Sequence, residues 1–347
     1  MFIKTKVTSM SPAEKQFLTR NKLPESYLLS AEKWFSPLLE EYQNPSKKPL
    51  IIGINGSQGS GKSTLADYLC TVLNERYDLR CVSLSLDDFY LTKLERQQLA
   101  IEVHPLLETR GVPGTHDIPL ALKTLAQLVD GSAQTLIPRF DKSRDDRMPM
   151  EQCDSIIGQV DIIILEGWCV GAKPQTADQL VEPLNSLEAE QDTDGVWRNT
   201  VNQALAGEYQ ALFAQLDQLI MLQAPSFESV FNWRLEQEEK MRARIDALNS
   251  RASANGASAN GASANGASAT GASANEASAN GAKGSANGIM TASQIAEFIA
   301  HYQRITEQSL REMPLRADHL LQLDSQRQII TYSQPALAFR MGKLTDH

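Results

Sequence analysis

Short apolar runs alternate along this chain with segments of helical periodicity. The runs Leu50 to Ile54 and Asp161 to Gly167 are rich in aliphatic, largely β-branched residues, which are typical of strands buried in a parallel sheet. Further strands are predicted for Cys81 to Leu86 and Leu219 to Leu222. Apolar residues recur at helical spacing after the first run, so a helix should begin near Gly61. This alternation predicts an α/β fold with a doubly wound, mostly parallel sheet and helices on both faces.

The two ends of the chain carry shorter patterns. Ser11 to Glu14 has the residues of a helix capping box, and Ala31 to Tyr42 is predicted to be a second helix. Near the carboxyl end we predict a helix from Thr291 to about Leu310, followed by closing strands at His319 to Leu323 and Gln328 to Thr331. Nothing in the amino-terminal helices suggests chemistry, so they are interpreted as a cap on the core.

A glycine-rich motif joins the first strand to the following helix. Residues Gly56 to Ser63 match G-x-x-x-x-G-K-[ST], which in this strand–helix context predicts a P-loop. Glycines let backbone N–H groups approach phosphate oxygens, and the helix N-terminus adds partial positive charge. Lys62 is predicted to reach the β- and γ-phosphates and to act in catalysis. The predicted ATP-binding residues of the loop are Gly56, Ser57, Gln58, Gly59, Ser60, Gly61, Lys62, Ser63 and Thr64.

Carboxylates follow two other predicted strands. Asp87 and Asp88 come after the second strand, and Glu166 ends the apolar run before Gly167. The carboxyl ends of parallel strands form the ligand-binding edge in such folds. Asp87 is therefore the candidate catalytic base, with Asp88 as its competitor, while Ser63 and Glu166 are predicted to hold Mg²⁺.

Strand geometry makes a further prediction about these two aspartates. If the strand continues as far as Asp88, only one of the two carboxylates faces the P-loop. If Asp87 is the one that faces the loop, Phe89 shares its side and walls the acceptor pocket, and Asp88 is left to solvent, a cap or an indirect contact.

Basic residues and hydrogen-bond donors cluster between the second strand and the Glu166 strand, although the chain is acidic. The net charge of −9 argues against a nucleic-acid or anionic-membrane partner, so these groups are interpreted as local binders of phosphate or of a small anionic acceptor. Arg139 is predicted to act in catalysis. For Arg144 and Arg147 a solvated charged face is the alternative. The cluster contains Arg110, His116, Arg139, Lys142, Arg144 and Arg147; the predicted acceptor-binding residues are Asp87, Tyr90, Arg110, His116 and Arg139.

A long charged helix is predicted after the fourth strand. It carries Arg234, which could close over the nucleotide as a lid; ion pairs with Glu236, Glu238 or Glu239 along the helix surface are the alternative.

The stretch 252–288 differs from the rest of the chain. It repeats Ala-Ser-Ala-Asn-Gly and contains no large apolar residue, so it cannot bury enough surface to offset the entropy of ordering. Recurrent Asn-Gly disfavours helix. We interpret it as a flexible insertion, and a neutral expansion is favoured over a functional tether. The predicted organisation is a helical extension (1–48), a P-loop core with its lid helix (49–251), the insertion (252–288), and a C-terminal helix with closing strands (289–347).

Other features predict a cytoplasmic protein without a membrane partner. The four cysteines have neither metal-ligand nor disulfide-scaffold spacing, and reduced thiols are expected. The first residues lack an apolar signal-peptide core, and no apolar run approaches transmembrane length. The cysteines are Cys70, Cys81, Cys153 and Cys169.

Several motifs resemble a known kinase family. The pattern Asp87-x-Phe89-Tyr90, the pair Glu166-Gly167 and an arginine-bearing helix resemble the uridine kinase, pantothenate kinase and phosphoribulokinase group. Longer segments narrow the resemblance to D-glycerate 3-kinases of the plant type. They are Ser85 to Thr92, Arg110 to Asp117, Ile164 to Gly171, Pro138 to Ser143 and Trp233 to Glu238.

The resemblance covers about residues 50 to 245 and excludes the Ala-Ser-Ala-Asn-Gly insertion. It implies phosphorylation of D-glycerate to 3-phosphoglycerate with ATP and Mg²⁺, and it implies that Asp87 is the base. Glycerate is a small anion with a primary hydroxyl group, which suits a site with a base and cations.

Other functions stay open at this stage. The acceptor could be a nucleoside or a pantothenate-like molecule, or the protein could be a regulatory ATPase without a small-molecule acceptor. A scaffold that uses the repeat as a tether is a third possibility. Guanine specificity is not favoured, because the lone Asn-Lys pair, Asn21-Lys22, lies upstream of the P-loop and is not followed by the aspartate of a guanine-binding motif. The oligomeric state is not predicted.

Overall fold

A six-stranded sheet forms the centre of the protein in the computed structural model, which describes residues 10–256 and 290–336. The strands of the described part are β1 (Leu50–Gly56), β2 (Cys81–Ser85), β3 (Thr135–Ile137), β4 (Phe140–Asp141), β5 (Asp146–Arg147), β6 (Asp154–Ile156), β7 (Ile162–Gly167), β8 (Gln218–Gln223), β9 (His319–Leu323) and β10 (Ile329–Ser333). The helices are α1 (Pro12–Asn21), α2 (Ser26–Tyr42), α3 (Lys62–Tyr77), α4 (Lys93–Glu102), α5 (Ile118–Val129), α6 (Ser186–Gln191), α7 (Val196–Ala204), α8 (Gln210–Phe213), α9 (Phe227–Gly256) and α10 (Ala292–Glu312).

The central sheet is parallel except at one edge. Its spatial order is β10-β9-β8-β1-β7-β2, and only β10 runs antiparallel to its neighbour. The first residues of β1 and β7 pair with each other, as Leu50 with Ile162, and the register continues to Asn55 with Gly167. The strands therefore end together, and the predicted mostly parallel α/β fold is confirmed. Two small antiparallel pairs, β3–β6 and β4–β5, lie outside this sheet.

Both faces of the sheet are covered. In β7 the side chains of Ile162 and Ile164 pack into one core, while Ile163 and Leu165 pack into another, because successive strand residues point to opposite faces. Residues of α1, α2 and α3 belong to the first core, and residues of α5, α7 and α8 belong to the second. Burying each such aliphatic side chain contributes about 1.5–3 kcal/mol. The continuous apolar runs of β1 and β7 follow from this two-sided burial.

The amino-terminal helices pack on the helix that follows the P-loop. The predicted capping box is present at Ser11. The aromatic ring of Phe17 meets that of Tyr68 edge-on at 5.6 Å, and Arg20 forms an ion pair with Asp67 at 2.5 Å. The second helix begins at Ser26, five residues before the predicted start. The interpretation of these helices as a cap on the core agrees with these contacts.

Two further predicted boundaries were wrong. β2 ends at Ser85, and residues Leu86–Phe89 form a 3₁₀ turn instead of continuing the strand. The long helix α9 continues to Gly256, inside the stretch that the Asn-Gly repeat was expected to keep non-helical. Residues 257–288 of the predicted insertion lie outside the described residues. The predicted domain boundaries stay predictions.

No helix within residues 10–256 and 290–336 has the length and apolar character needed to cross a membrane. The predicted helix and strands near the carboxyl end are confirmed as α10, β9 and β10.

Candidate active site

The P-loop connects β1 to α3 with glycines in the left-handed region. Gly59 and Gly61 have φ angles of +79° and +90°, which favour glycine. A Cβ atom on Gly59 would lie 3.0 Å from Cβ of Trp233, so α9 packs directly against the loop. The hydroxyl groups of Ser57 and Ser60 are buried, and neither has a hydrogen-bond partner among the described residues. Such a cradle of buried donors fits the phosphates of a nucleotide.

Ser63 and Glu166 meet where β7 ends beside the start of α3. The hydroxyl of Ser63 donates to Oε1 of Glu166 at 2.9 Å, and Nζ of Lys62 lies 4.0 Å from Oε2. Burial raises the pKa of Glu166, and the charge of Lys62 opposes that rise. A hydroxyl and a carboxylate beside a phosphate cradle are ligands that suit Mg²⁺, which takes its other ligands from phosphates and water.

Asp87 lies between two hydrogen-bond donors. The hydroxyl of Tyr90 donates to Oδ1 and the ammonium group of Lys142 donates to Oδ2, both at 2.9 Å. Burial raises the pKa of Asp87, but the charges of Lys142 and Lys62 outweigh it and hold the pKa below its usual value. The carboxylate is therefore ionised at neutral pH, within the electrostatic field of the P-loop lysine.

Asp88 has separate partners. Its Oδ2 accepts from Arg139 at 2.7 Å, and its Oδ1 accepts from the backbone N–H of Phe140 at 3.2 Å. Burial raises the pKa of this carboxyl group, and Arg139 opposes the rise. Solvent exposure of Asp88, one of the predicted outcomes, is therefore wrong. The 3₁₀ turn, rather than strand alternation, directs the two carboxylates to different partners.

Phe89 does not wall the site as predicted. It is fully buried in the core that also contains Leu86, because the 3₁₀ turn brings both residues to the apolar side.

Arg110 lies in a buried ion cluster. It forms an ion pair with Asp145, and Asp145 forms a second ion pair with Arg96 at 3.0 Å. The guanidinium group of Arg110 lies 5.3 Å from the ring centre of Phe140. Burying two guanidinium groups around one carboxylate organises the polypeptide between β2 and β6. Arg110 therefore has a structural role, and its expected contact with the acceptor stays a prediction. Arg96 and Asp145 were not predicted, because neither stands in a recognisable motif.

Tyr90, which donates to Asp87, packs against His116. Their backbones make an antiparallel bridge, and their rings stack with centres 4.4 Å apart. Nδ1 of His116 lies 2.6 Å from the hydroxyl of Tyr209. Burial lowers the pKa of His116 to about 4, although the charge of Asp87 opposes this. The imidazole is therefore neutral. Tyr209, which was not predicted, also belongs to the surroundings of His116.

Arg139 and Arg234 are both held by carboxylates. Arg139 bridges Asp88 and Asp154, with its Nε 3.0 Å from Asp154 Oδ2. Arg234 is buried, pairs with Glu238 at 2.8 Å and lies 5.9 Å from the ring centre of Phe298 on α10. The ion pair with Glu238 was the predicted alternative to a lid, although it is buried rather than on the surface. A nucleotide contact by Arg234 stays a prediction.

The chain is similar in sequence to known kinases. No profile of a known protein family matches the chain. An uncharacterized kinase of Schizosaccharomyces pombe (mug58) is 39% identical over 217 residues, which are 60% of this chain and 76% of that protein. The chloroplastic D-glycerate 3-kinase of Arabidopsis thaliana is 33% identical over 208 residues, 56% of this chain and 42% of the plant protein.

A solved structure shows the same architecture over nearly the whole chain. The D-glycerate 3-kinase of Cryptococcus neoformans superposes with a TM-score of 0.63 and 26% identity, covering 90% of this chain and 99% of that one. The phosphate cradle and the carboxylate at the end of β7 fit the kinase function of these relatives. The chain is an ATP-dependent phosphotransferase and belongs to the family of P-loop kinases that includes D-glycerate 3-kinase.

Proposed function

We propose that the protein transfers the γ-phosphoryl group of ATP to D-glycerate and forms 3-phosphoglycerate. The observation that carries the proposal is the position of Asp87, a carboxylate with a lowered pKa that Lys142 contacts at 2.9 Å beside the P-loop. D-Glycerate 3-kinases among the sequence relatives and the structural neighbours support this acceptor.

On the nucleotide side, the loop residues 56–64 would hold the phosphates through their N–H groups, and Lys62 would neutralise developing charge on the transferred group. Ser63 and Glu166 would hold Mg²⁺, which when bound supplies positive charge at the phosphate oxygens.

On the acceptor side, Asp87 would orient the attacking hydroxyl and accept its proton. A carboxylate with a lowered pKa is a weak base, but phosphoryl transfer depends mainly on alignment, and the proton moves late in a loose transition state. Lys142, beside Asp87, and Arg139, which is partly exposed, would attract the carboxylate of the acceptor. Tyr90 and His116 would line the acceptor pocket beside Asp87. Arg110 would hold in place the stretch of chain between Tyr90 and His116.

The test is ADP release with D-glycerate, L-glycerate, pantothenate and uridine as separate acceptors, with the product's phosphorylated oxygen located by NMR. We expect D-glycerate to give the highest kcat/KM and the 3-phosphate as product. A Lys62→Ala preparation, purified in parallel, measures any contaminating kinase. D-Glycerate ranking no higher than pantothenate or uridine would refute this acceptor, and ADP release that no acceptor changes would favour a regulatory ATPase.

A further inference from the structure

A tyrosine from a distant part of the chain contacts the histidine beside Asp87. Tyr209 ends a π-helical turn, Leu205–Tyr209, in which Gly207 leaves helical geometry with φ −93° and ψ −110°. Single π turns inside helices occur frequently at functional sites. The turn delivers the phenol of Tyr209 to His116, and both residues are buried, with 1% and 4% of their surface exposed.

The hydrogen bonds around this phenol determine the tautomer of the imidazole. The backbone N–H of Gly114 donates to the Tyr209 oxygen at 3.1 Å, and the backbone N–H of His116 also interacts with it. The oxygen is thereby used as an acceptor, and its own hydrogen needs an acceptor in turn. Among the described residues, Nδ1 of His116, at 2.6 Å, is the partner for that hydrogen. Nδ1 therefore accepts, and a neutral imidazole must carry its proton on Nε2.

The Nε2 group of His116 is buried and has no hydrogen-bond partner within residues 10–256 and 290–336. The stacked ring of Tyr90 donates its hydroxyl to Asp87, so the imidazole shares the surroundings of the proposed base. A buried N–H without a partner is unfavourable in the free protein, and this cost is removed when an oxygen atom arrives to accept from it.

We propose that Tyr209 is a positioning residue that holds His116 as the Nε2–H tautomer, so that the imidazole donates a hydrogen bond to an oxygen atom of the acceptor. This inference rests on the proposed function, since it assigns Nε2–H to the binding of the oxygen-rich acceptor that Asp87 would activate. Tyr209 itself does not touch the acceptor.

A second tyrosine–histidine pair in the same chain provides a matched control. The hydroxyl of Tyr332 lies 2.9 Å from Nδ1 of His319, but there Nε2 lies 3.2 Å from Oε1 of Gln218 and is already paired. Tyr332→Phe therefore removes the same chemical contact without affecting an unpaired donor at the proposed site.

The first measurement is the tautomer itself, by ¹⁵N–¹H NMR of histidine-labelled full-length protein at neutral pH. We expect His116 to carry its proton on Nε2 in the wild type and in Tyr332→Phe, and to show partial protonation of Nδ1 in Tyr209→Phe. Saturation with D-glycerate should shift the Nε2–H resonance. A wild-type proton on Nδ1, or an Nε2–H resonance that D-glycerate leaves unchanged while it binds, would overturn the inference.

The second measurement is kinetic. Tyr209→Phe should raise KM for the acceptor about tenfold, the effect of losing one neutral hydrogen bond, while KM for ATP stays within about twofold. Equal acceptor KM values in Tyr209→Phe and Tyr332→Phe would contradict a positioning role. If Tyr209→Phe fails to fold, His116→Gln, which retains an N–H donor, should keep a lower acceptor KM than His116→Leu, and equal values would again refute the role.

The two proposals fail in different ways. A wild-type protein that phosphorylates pantothenate but not D-glycerate would refute the proposed acceptor, and the NMR titration repeated with pantothenate would still decide whether Nε2–H donates to it. An active glycerate kinase with the other tautomer would refute the role of Tyr209 and leave the proposed function in place.

Discussion

Residues 56–64 reach the nucleotide site as one continuous segment at the end of β1, whereas the groups around Asp87 come from stretches of chain far apart in sequence. Lys142 is 55 residues from Asp87, Arg139 is 51 from Asp88, and Tyr209 is 93 from His116. The nucleotide side is thus a local motif on regular elements, and the acceptor side depends on tertiary ion pairs and hydrogen bonds. Changes on the first side should alter chemistry most, and changes on the second should alter both chemistry and folding.

The largest loss of activity is expected at the nucleotide side. Lys62→Ala removes the cation proposed to face the transferred phosphoryl group, so kcat should fall by at least about 10²–10³-fold. Glu166, 4.0 Å away and buried, loses its nearest cation, so the melting temperature should fall as well. ADP release and thermal unfolding measure the two effects. Lys123→Ala, at an exposed position of α5, is the matched control, and wild-type turnover in Lys62→Ala would exclude the P-loop from the chemistry.

The two neighbouring aspartates separate chemistry from folding. Asp87→Asn should lower kcat by about 10²–10⁴-fold, the usual contribution of a general base, with KM for ATP little changed. Asp88→Asn should lower kcat far less but destabilise the protein by about 1–3 kcal/mol, because Arg139 and the N–H of Phe140 lose a buried charged acceptor. Steady-state kinetics and urea unfolding of both variants provide the comparison. A larger kcat loss in Asp88→Asn would reverse the assigned roles.

The buried ion cluster tests how far the acceptor side depends on tertiary pairing. Asp145→Asn leaves the guanidinium groups of Arg96 and Arg110 buried without their shared carboxylate, so we expect a loss of about 3–5 kcal/mol in the free energy of unfolding. Denaturant unfolding measures it, with Asp130→Asn at an exposed position after α5 as the control. Equal stabilities would show that the cluster does not hold this region together.

The charge of Lys142 should determine how far into the acid range Asp87 stays ionised. In the wild type the pKa of Asp87 is held below its usual value, so Asp87 stays ionised well into the acid range. Its stabilising contribution is present above the unfolded pKa of about 3.9 and is lost as pH falls through the lower folded value. In Lys142→Gln the burial effect is less opposed, so the pKa rises and kcat/KM should begin to fall at a higher pH. Superimposable pH profiles for the wild type and Lys142→Gln would contradict this.

The smallest effect is expected from the Ala-Ser-Ala-Asn-Gly stretch. Replacing residues 257–288 by a Gly/Ser linker of about ten residues should change the melting temperature by less than about 4 °C, because loop-closure entropy varies only logarithmically with length. kcat should be unchanged. A larger fall in melting temperature would show that the stretch packs on the protein, and lost partner binding with intact activity would support the tether.

Much of the fold was predictable because its signals are local. The apolar runs of β1 and β7, the P-loop between β1 and α3, and the capping box at Ser11 each lie within a few consecutive residues. The errors occurred where a local rule competed with packing. Strand alternation was extended to Asp88, but burial of Leu86 and Phe89 in the core favours a 3₁₀ turn. The helix α9 also continues to Gly256, past the predicted start of the insertion at residue 252.

The sequence by itself predicted a nucleotide site at the end of a parallel sheet, since glycine spacing, a lysine and a strand-terminal carboxylate follow one another along short segments. Only the tertiary structure decided which partner each charged group has. Arg110 pairs with Asp145 across 35 residues, and Tyr209 meets His116 across 93. Such pairs depend on how separately formed elements pack, and no pattern of neighbouring residues encodes that distance. The different partners of Asp87 and Asp88 were therefore decided by the fold.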